Sequence, residues 1–119
     1  MTLTEFLQAR IAEDEAVARA AVRWNEGCRN WADAGEPDWV HIARWDPARV
    51  LAECEAKRSV VHAAIDAERN VADAYKQHPR PSETTFAMYA GVNAALQVVT
   101  QCLAFSYADH PDYDESWRP

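Results

Sequence analysis

The chain has 119 residues, about half of them apolar, with 19 acidic against 12 basic side chains and a net charge of −7. That size allows one modest core and excludes two; the acidity argues against nucleic acid or an anionic membrane surface as partner. Only three glycines, in a chain rich in Ala, Leu, Arg and Glu, favour helix over sheet.

The first helix is expected from Leu3 to about Arg23. Thr2 and Glu5 have the spacing of a capping box, and Leu3, Phe6, Leu7, Ile11, Val17, Ala18, Ala21 and Val22 recur mostly three or four apart. Glu13, Asp14 and Glu15 are consecutive, so they point 100° apart on a helix, cannot converge on one ion, and read as a solvated face. Residues 24–46 break the period. They hold Gly27, Gly35 and Pro37 together with Trp24, Trp31, Trp39 and Trp45, a density of tryptophan too apolar for a disordered linker. A short helix is expected from Pro37 to about Ala43. The tryptophans plug one end of a bundle core or form an exposed anchor patch for a partner protein.

Asp46-Pro47 is a helix start, and no Gly or Pro follows before about Gln77. A helix of that length, roughly 45 Å, is longer than a compact globule of this size is wide, which predicts an elongated or oligomeric protein. Val50, Cys54, Val61, Ile65, Val71, Ala72 and Tyr75 form its apolar stripe, with Glu53 and Lys57 as an i, i+4 pair. Lys57 and Arg58 interrupt the stripe, as snorkelling stems or as ion-pair partners of the acidic first helix. His62, between Arg58 and Asp66, reads as a surface histidine.

The turn at His78-Pro79-Arg80-Pro81 forbids helix, and Ser82 caps the next element. From Thr84 to Ala108 there is no Asp, Glu, Lys or Arg, so this helix is expected to be covered on most sides. Its length would allow a membrane span, but the polar stripe Asn93, Gln97, Thr100 and Gln101 and the lack of flanking basic residues argue against one. A four-residue turn makes the second and third long helices an antiparallel hairpin. The face carrying Phe86, Ala90, Asn93, Gln97 and Thr100 is then the candidate oligomer face, met by the first helix or by a second copy, since Gly91 and its alanine neighbours permit close approach and buried amides fix register.

The tail turns acidic and aromatic. Tyr107, Asp109, His110, Asp112, Tyr113 and Trp117 are the candidate partner-binding residues if the tail is free; otherwise its aromatic rings fold back onto the bundle and leave the acids in water. Three stretches, FLQARIAEDEAVARAA, DPARVLAECEAKRSVV and YADHPDYDESWRP, resemble a family of small uncharacterised proteins of actinobacteria and their phages. The resemblance covers about half the chain and implies an actinobacterial or phage source, with no activity to transfer. It also implies a cysteine-rich, zinc-like segment before the tail. This chain departs there, with Cys102 alone and no histidine between Thr84 and Ala108, so zinc binding does not carry over.

Catalytic machinery is not expected: there is no glycine-rich phosphate loop and no GxSxG elbow. His41, His62, His78 and His110 are scattered, and His110 with Asp109 and Asp112 is a weak ligand set. Cys28, Cys54 and Cys102 are odd in number, far apart and without a CxxC pair, as in a reducing cytoplasm, and no signal peptide opens the chain. The reading is an all-α single domain over residues 1–119: a hairpin of about 47–77 and 82–107 plus an N-terminal helix, 3–23, as a three-helix bundle with an irregular aromatic tail. It is expected to be a cytoplasmic, homodimeric protein-interaction or regulatory module, with a host protein as possible partner and no metal, cofactor, nucleic acid or membrane. A metal-dependent enzyme and an acidic DNA mimic are the alternatives.

Overall fold

A computed structural model describes residues 1–21, 35–77, 80 and 82–119. The Trp24 and Trp31 part of the connection, Cys28, the end expected for the first helix and the prolines of the His78–Pro81 turn lie outside the described residues. Helix accounts for 81% of those described, with no strand among them. The elements are α1 (Leu3–Ala20), α2 (Pro37–Arg44), α3 (Pro47–Gln77), α4 (Glu83–Phe105) and a 3-10 turn at Glu115–Trp117.

The starts of α1, α3 and α4 are fixed by side chains that answer free backbone N–H groups. At α1 the Thr2 N–H donates to Glu5 Oε2 (2.7 Å) and the Glu5 N–H donates back to Thr2 Oγ1 (3.2 Å), the reciprocal box its spacing predicts. Asp46 Oδ1 accepts from the Arg49 N–H (2.9 Å) at α3, and Ser82 Oγ from the Thr85 N–H (3.2 Å) at α4. Pro37 and Pro47 occupy first helical positions, where a missing N–H costs nothing.

The chain divides into two compact units, one of residues 1–10 and 57–119 and one of residues 11–56. In the first, α3 and α4 run antiparallel: Tyr75 near the end of α3 meets Phe86 near the start of α4, ring centroids 5.9 Å apart, while Lys57 reaches Tyr107 beyond the end of α4. The start of α1 lies beside them, and the core is Phe6, Leu7, Val61, Ala64, Ala67, Thr100 and Ala104. In the second unit Ile11, Ala18 and Cys54 are buried, and Asp46 is buried while it caps α3. An apolar groove of about 370 Å³ lies there among Val17, Ala18, Ala21, Trp45, Pro47 and Val50. Trp45 is stacked on His41 at 4.8 Å and covered by the Arg49 guanidinium at 4.3 Å; Trp39 and Trp45 both keep substantial exposure. Arg49 also takes Glu53 at 2.8 Å, the carboxylate that the sequence pairs with Lys57.

One expectation fails at α4. Only Thr100 and Ala104 of this helix, uncharged after Glu83, are buried, because within its unit α3 and the first turns of α1 lie against one side of it. Along α4, Leu96 and Leu103 are half-buried while Val92 and Val99 are exposed.

Candidate functional site

Two features of the first unit bear on function: the way the tail is held, and the side of α4 that the unit leaves largely exposed.

The tail is a succession of tight turns closed by i to i+3 backbone hydrogen bonds, His110 to Tyr107, Tyr113 to His110 and Trp117 to Asp114 among them. Asp114 Oδ1 caps the last by accepting from the Ser116 N–H (2.8 Å), which holds its carboxyl below the usual range. These turns bring four rings around Phe6, which is fully buried: Tyr107 at 6.4 Å, His110 at 5.9 Å, Tyr113 at 6.0 Å and Trp117 at 5.1 Å between centroids. One turn along α1, the buried Arg10 lies over the Phe6 ring at 5.3 Å. Its Nη1 sits 2.6 Å from His110 Nδ1 and 3.6 Å from the Asp112 carboxylate. The Asp112 N–H donates to the same Nδ1 at 3.1 Å. From α3, Lys57 donates to the Tyr107 hydroxyl (2.9 Å) and lies over its ring at 4.9 Å. Arg118 covers Phe105 at 5.2 Å and forks onto Glu115, whose carboxyl is lowered by that hydrogen bond.

Of the candidate partner-binding residues, Tyr107, His110, Tyr113 and Trp117 are therefore turned toward Phe6, while Asp109 and Asp112 are exposed. Sequence reasoning missed Arg10. Its signal is a lone cation between Phe6, Leu7 and Ile11 on the apolar side of α1, in a chain whose tail supplies carboxylates. Lys57 carried such a signal as a break in the α3 stripe; its partner is the tail tyrosine.

The five residues of the candidate oligomer face separate. Thr100 is 2% exposed, its hydroxyl donating to the Leu96 and Gln97 carbonyls at 3.0 and 2.9 Å. Asn93 and Gln97 line a polar cavity of about 260 Å³ together with Thr2, Thr4 and Glu68. Phe86 packs edge-on to Tyr75, and Ala90 is half-buried. This face looks onto the start of α1 and onto α3 of its own unit. Of the polar stripe that argues against a membrane span, Asn93, Thr100 and Gln101 are half-buried or buried and Gln97 is exposed, all four lining that cavity.

Among the described residues the opposite side of α4 is little covered, save at Phe105, where the Arg118 guanidinium lies over the ring. Inward positions follow a heptad, Tyr89, Asn93, Leu96, Thr100 and Leu103, and a second heptad runs along the outside: Met88, Gly91, Ala95, Val98, Cys102 and Phe105, all exposed. Val92 and Val99 flank it, also exposed. Neither seam holds a charge. By length and composition α4 is the one helix among the described residues that could cross a membrane. Among the described residues no three of His, Cys, Asp and Glu come together as a metal site.

The family model described as "Family of unknown function (DUF6221)" matches residues 1–119. The chain belongs to this family. The match extends beyond the three stretches that carry the resemblance in sequence, over the whole of α1 to the tail. No curated protein and no solved structure matches the chain.

Proposed function

We propose that this DUF6221 member is a non-enzymatic protein-interaction or regulatory module of actinobacterial or phage origin, working in the cytoplasm, and that its docking surface is the outer face of α4. The observation that carries this reading is the exposed, uncharged outer seam from Met88 to Cys102. Soluble monomers rarely leave so long an apolar surface without a single charge, because each buried contact it could make is worth more than its hydration. The tail supports the same assignment by its own arrangement: its aromatic rings are taken up by Phe6, which leaves α4 as the accessible apolar element of the first unit.

The test is capture on immobilised protein, offering both an actinobacterial lysate and a separately tagged second copy. Wild-type bait is expected to retain a partner that Val92→Glu/Val98→Glu bait loses, with circular dichroism of the two baits superimposable. Identical retention by both baits, or none by either, sinks the proposal.

A further inference from the structure

Beyond the docking face, we infer that the polar cavity lined by the start of α1, α3 and α4 is a binding site for a small aliphatic primary ammonium compound, whose charge Glu68 takes and whose N–H and hydroxyl groups the amides of α4 take.

Convergence is the first ground. Asn93, Gln97 and Gln101 stand four apart on α4, so their side chains lie one above another on one face, and all three line the same cavity of about 260 Å³. Glu68 on α3 and Thr2 and Thr4 at the start of α1 line it as well. Polar groups from three separate segments thus meet on one space, as they do in ligand sites.

These groups are also unspent. The side chains of Glu68, Asn93, Gln97 and Gln101 make no hydrogen bond or ion pair with any described residue, although Asn93 and Gln101 are half-buried. In the same unit Lys57, Arg69 and Arg118 are each answered by a side chain. An amide partly withdrawn from water without a partner costs free energy that a ligand with matching groups recovers.

Sign and size then select the ligand. Glu68 is the one charged side chain of the lining, which holds no Lys, Arg or His among the described residues. At the positive end of α1 the charge is already answered by Glu5, which accepts from the Thr2 N–H at 2.7 Å and the Thr2 hydroxyl at 3.0 Å. A cation is therefore the favoured charged group, and the chain's −7 acts in the same direction. No aromatic ring lines the cavity among the described residues, whereas quaternary ammonium groups, which have no N–H, are recognised by aromatic cages. Amide and hydroxyl oxygens instead call for an ammonium that donates hydrogen bonds. A volume at the small end of ligand pockets admits a compound of a few carbons and excludes a nucleotide.

The experiment is an NMR titration of the full chain with ethanolamine, protonated at neutral pH, in physiological salt, following the side-chain amide resonances. Those of Asn93, Gln97 and Gln101 should shift together and saturate, with a dissociation constant on the order of 1 mM for so small a ligand. Asn70 and Gln77, which do not line the cavity, should stay in place. Glu68→Gln should weaken binding at least about tenfold, while Asp66→Asn, which removes an equal charge from the same helix outside the lining, should change it by less than about twofold. Asn93→Leu should weaken it about fivefold with Glu68 intact. Ethylene glycol, of the same size without the charge, should move none of the resonances. The absence of a saturable shift, an equal response to ethylene glycol, or a Glu68→Gln chain that binds like Asp66→Asn overturns the inference and leaves a water-filled cavity only. None of these readouts involves a protein captured on the outer seam, so the two proposals fail separately.

Discussion

Phe6 is the residue on which the first unit closes, because four rings from the tail and the Arg10 guanidinium surround one side chain of α1. Truncating it removes the apolar burial and leaves a cavity that the turns of the tail cannot collapse to fill. Phe6→Ala should cost about 3–5 kcal/mol in urea denaturation. Tyr113 presents the opposite case. Its hydroxyl is enclosed and finds no partner among the described residues, so Tyr113→Phe removes an unanswered polar group and should stabilise by about 1 kcal/mol in the same measurement. Glu5 has its pKa lowered first by the Thr2 backbone N–H, Asp114 by that of Ser116, and Glu115 by its hydrogen bond to Arg118. A carboxyl whose folded pKa lies below its unfolded value stabilises above the unfolded pKa and loses that contribution as pH falls through the folded one. The melting temperature should therefore decline below about pH 4, and Glu5→Gln should show a shallower decline than wild type.

At the scale of elements, helix starts and the tail respond differently to change. Ser82→Ala deletes the one side-chain cap of α4 and should cost about 1 kcal/mol, read as a fall of a few degrees in melting temperature. Deleting residues 109–119 removes three of the four rings around Phe6 together with both tail partners of Arg10, leaving a buried cation whose chain-terminal partners are gone. That truncation should lower the melting temperature by at least about 10 °C. Unchanged stability would mean that the tail is a free docking peptide after all.

For the whole molecule, charge and association oppose each other. A chain of −7 repels other acidic chains, whereas the outer seam of α4 offers a partner no ion pair to be screened. Salt should therefore leave docking on that seam as tight or tighter, where an interface held by salt bridges would weaken. Capture at two salt concentrations reads the sign directly.

Local chemistry was legible along the chain. The Thr2–Glu5 box, the Asp46 and Ser82 caps and the first-turn prolines follow from short-range rules, so the start of α3 stands where its signals place it and those of α1 and α4 within a residue. The helical hairpin follows from a turn too short for anything else. What a sequence period cannot tell is which side of a uniformly uncharged helix turns inward. On α4 the polar amides, which could have faced a second copy, look onto α1 and α3, and the more apolar side is left outside. Nor could composition choose the partners of Arg10 and Lys57, since a cation within an apolar stripe is satisfied by whichever acceptor the chain returns to it, here a tail about 100 and 50 residues away. Sequence by itself determined the all-α class, the helix starts and the absence of charge from Thr84 to Phe105 on α4. Only the tertiary structure decided which of its faces is spent on the core, because that depends on side-chain packing between segments far apart in the chain.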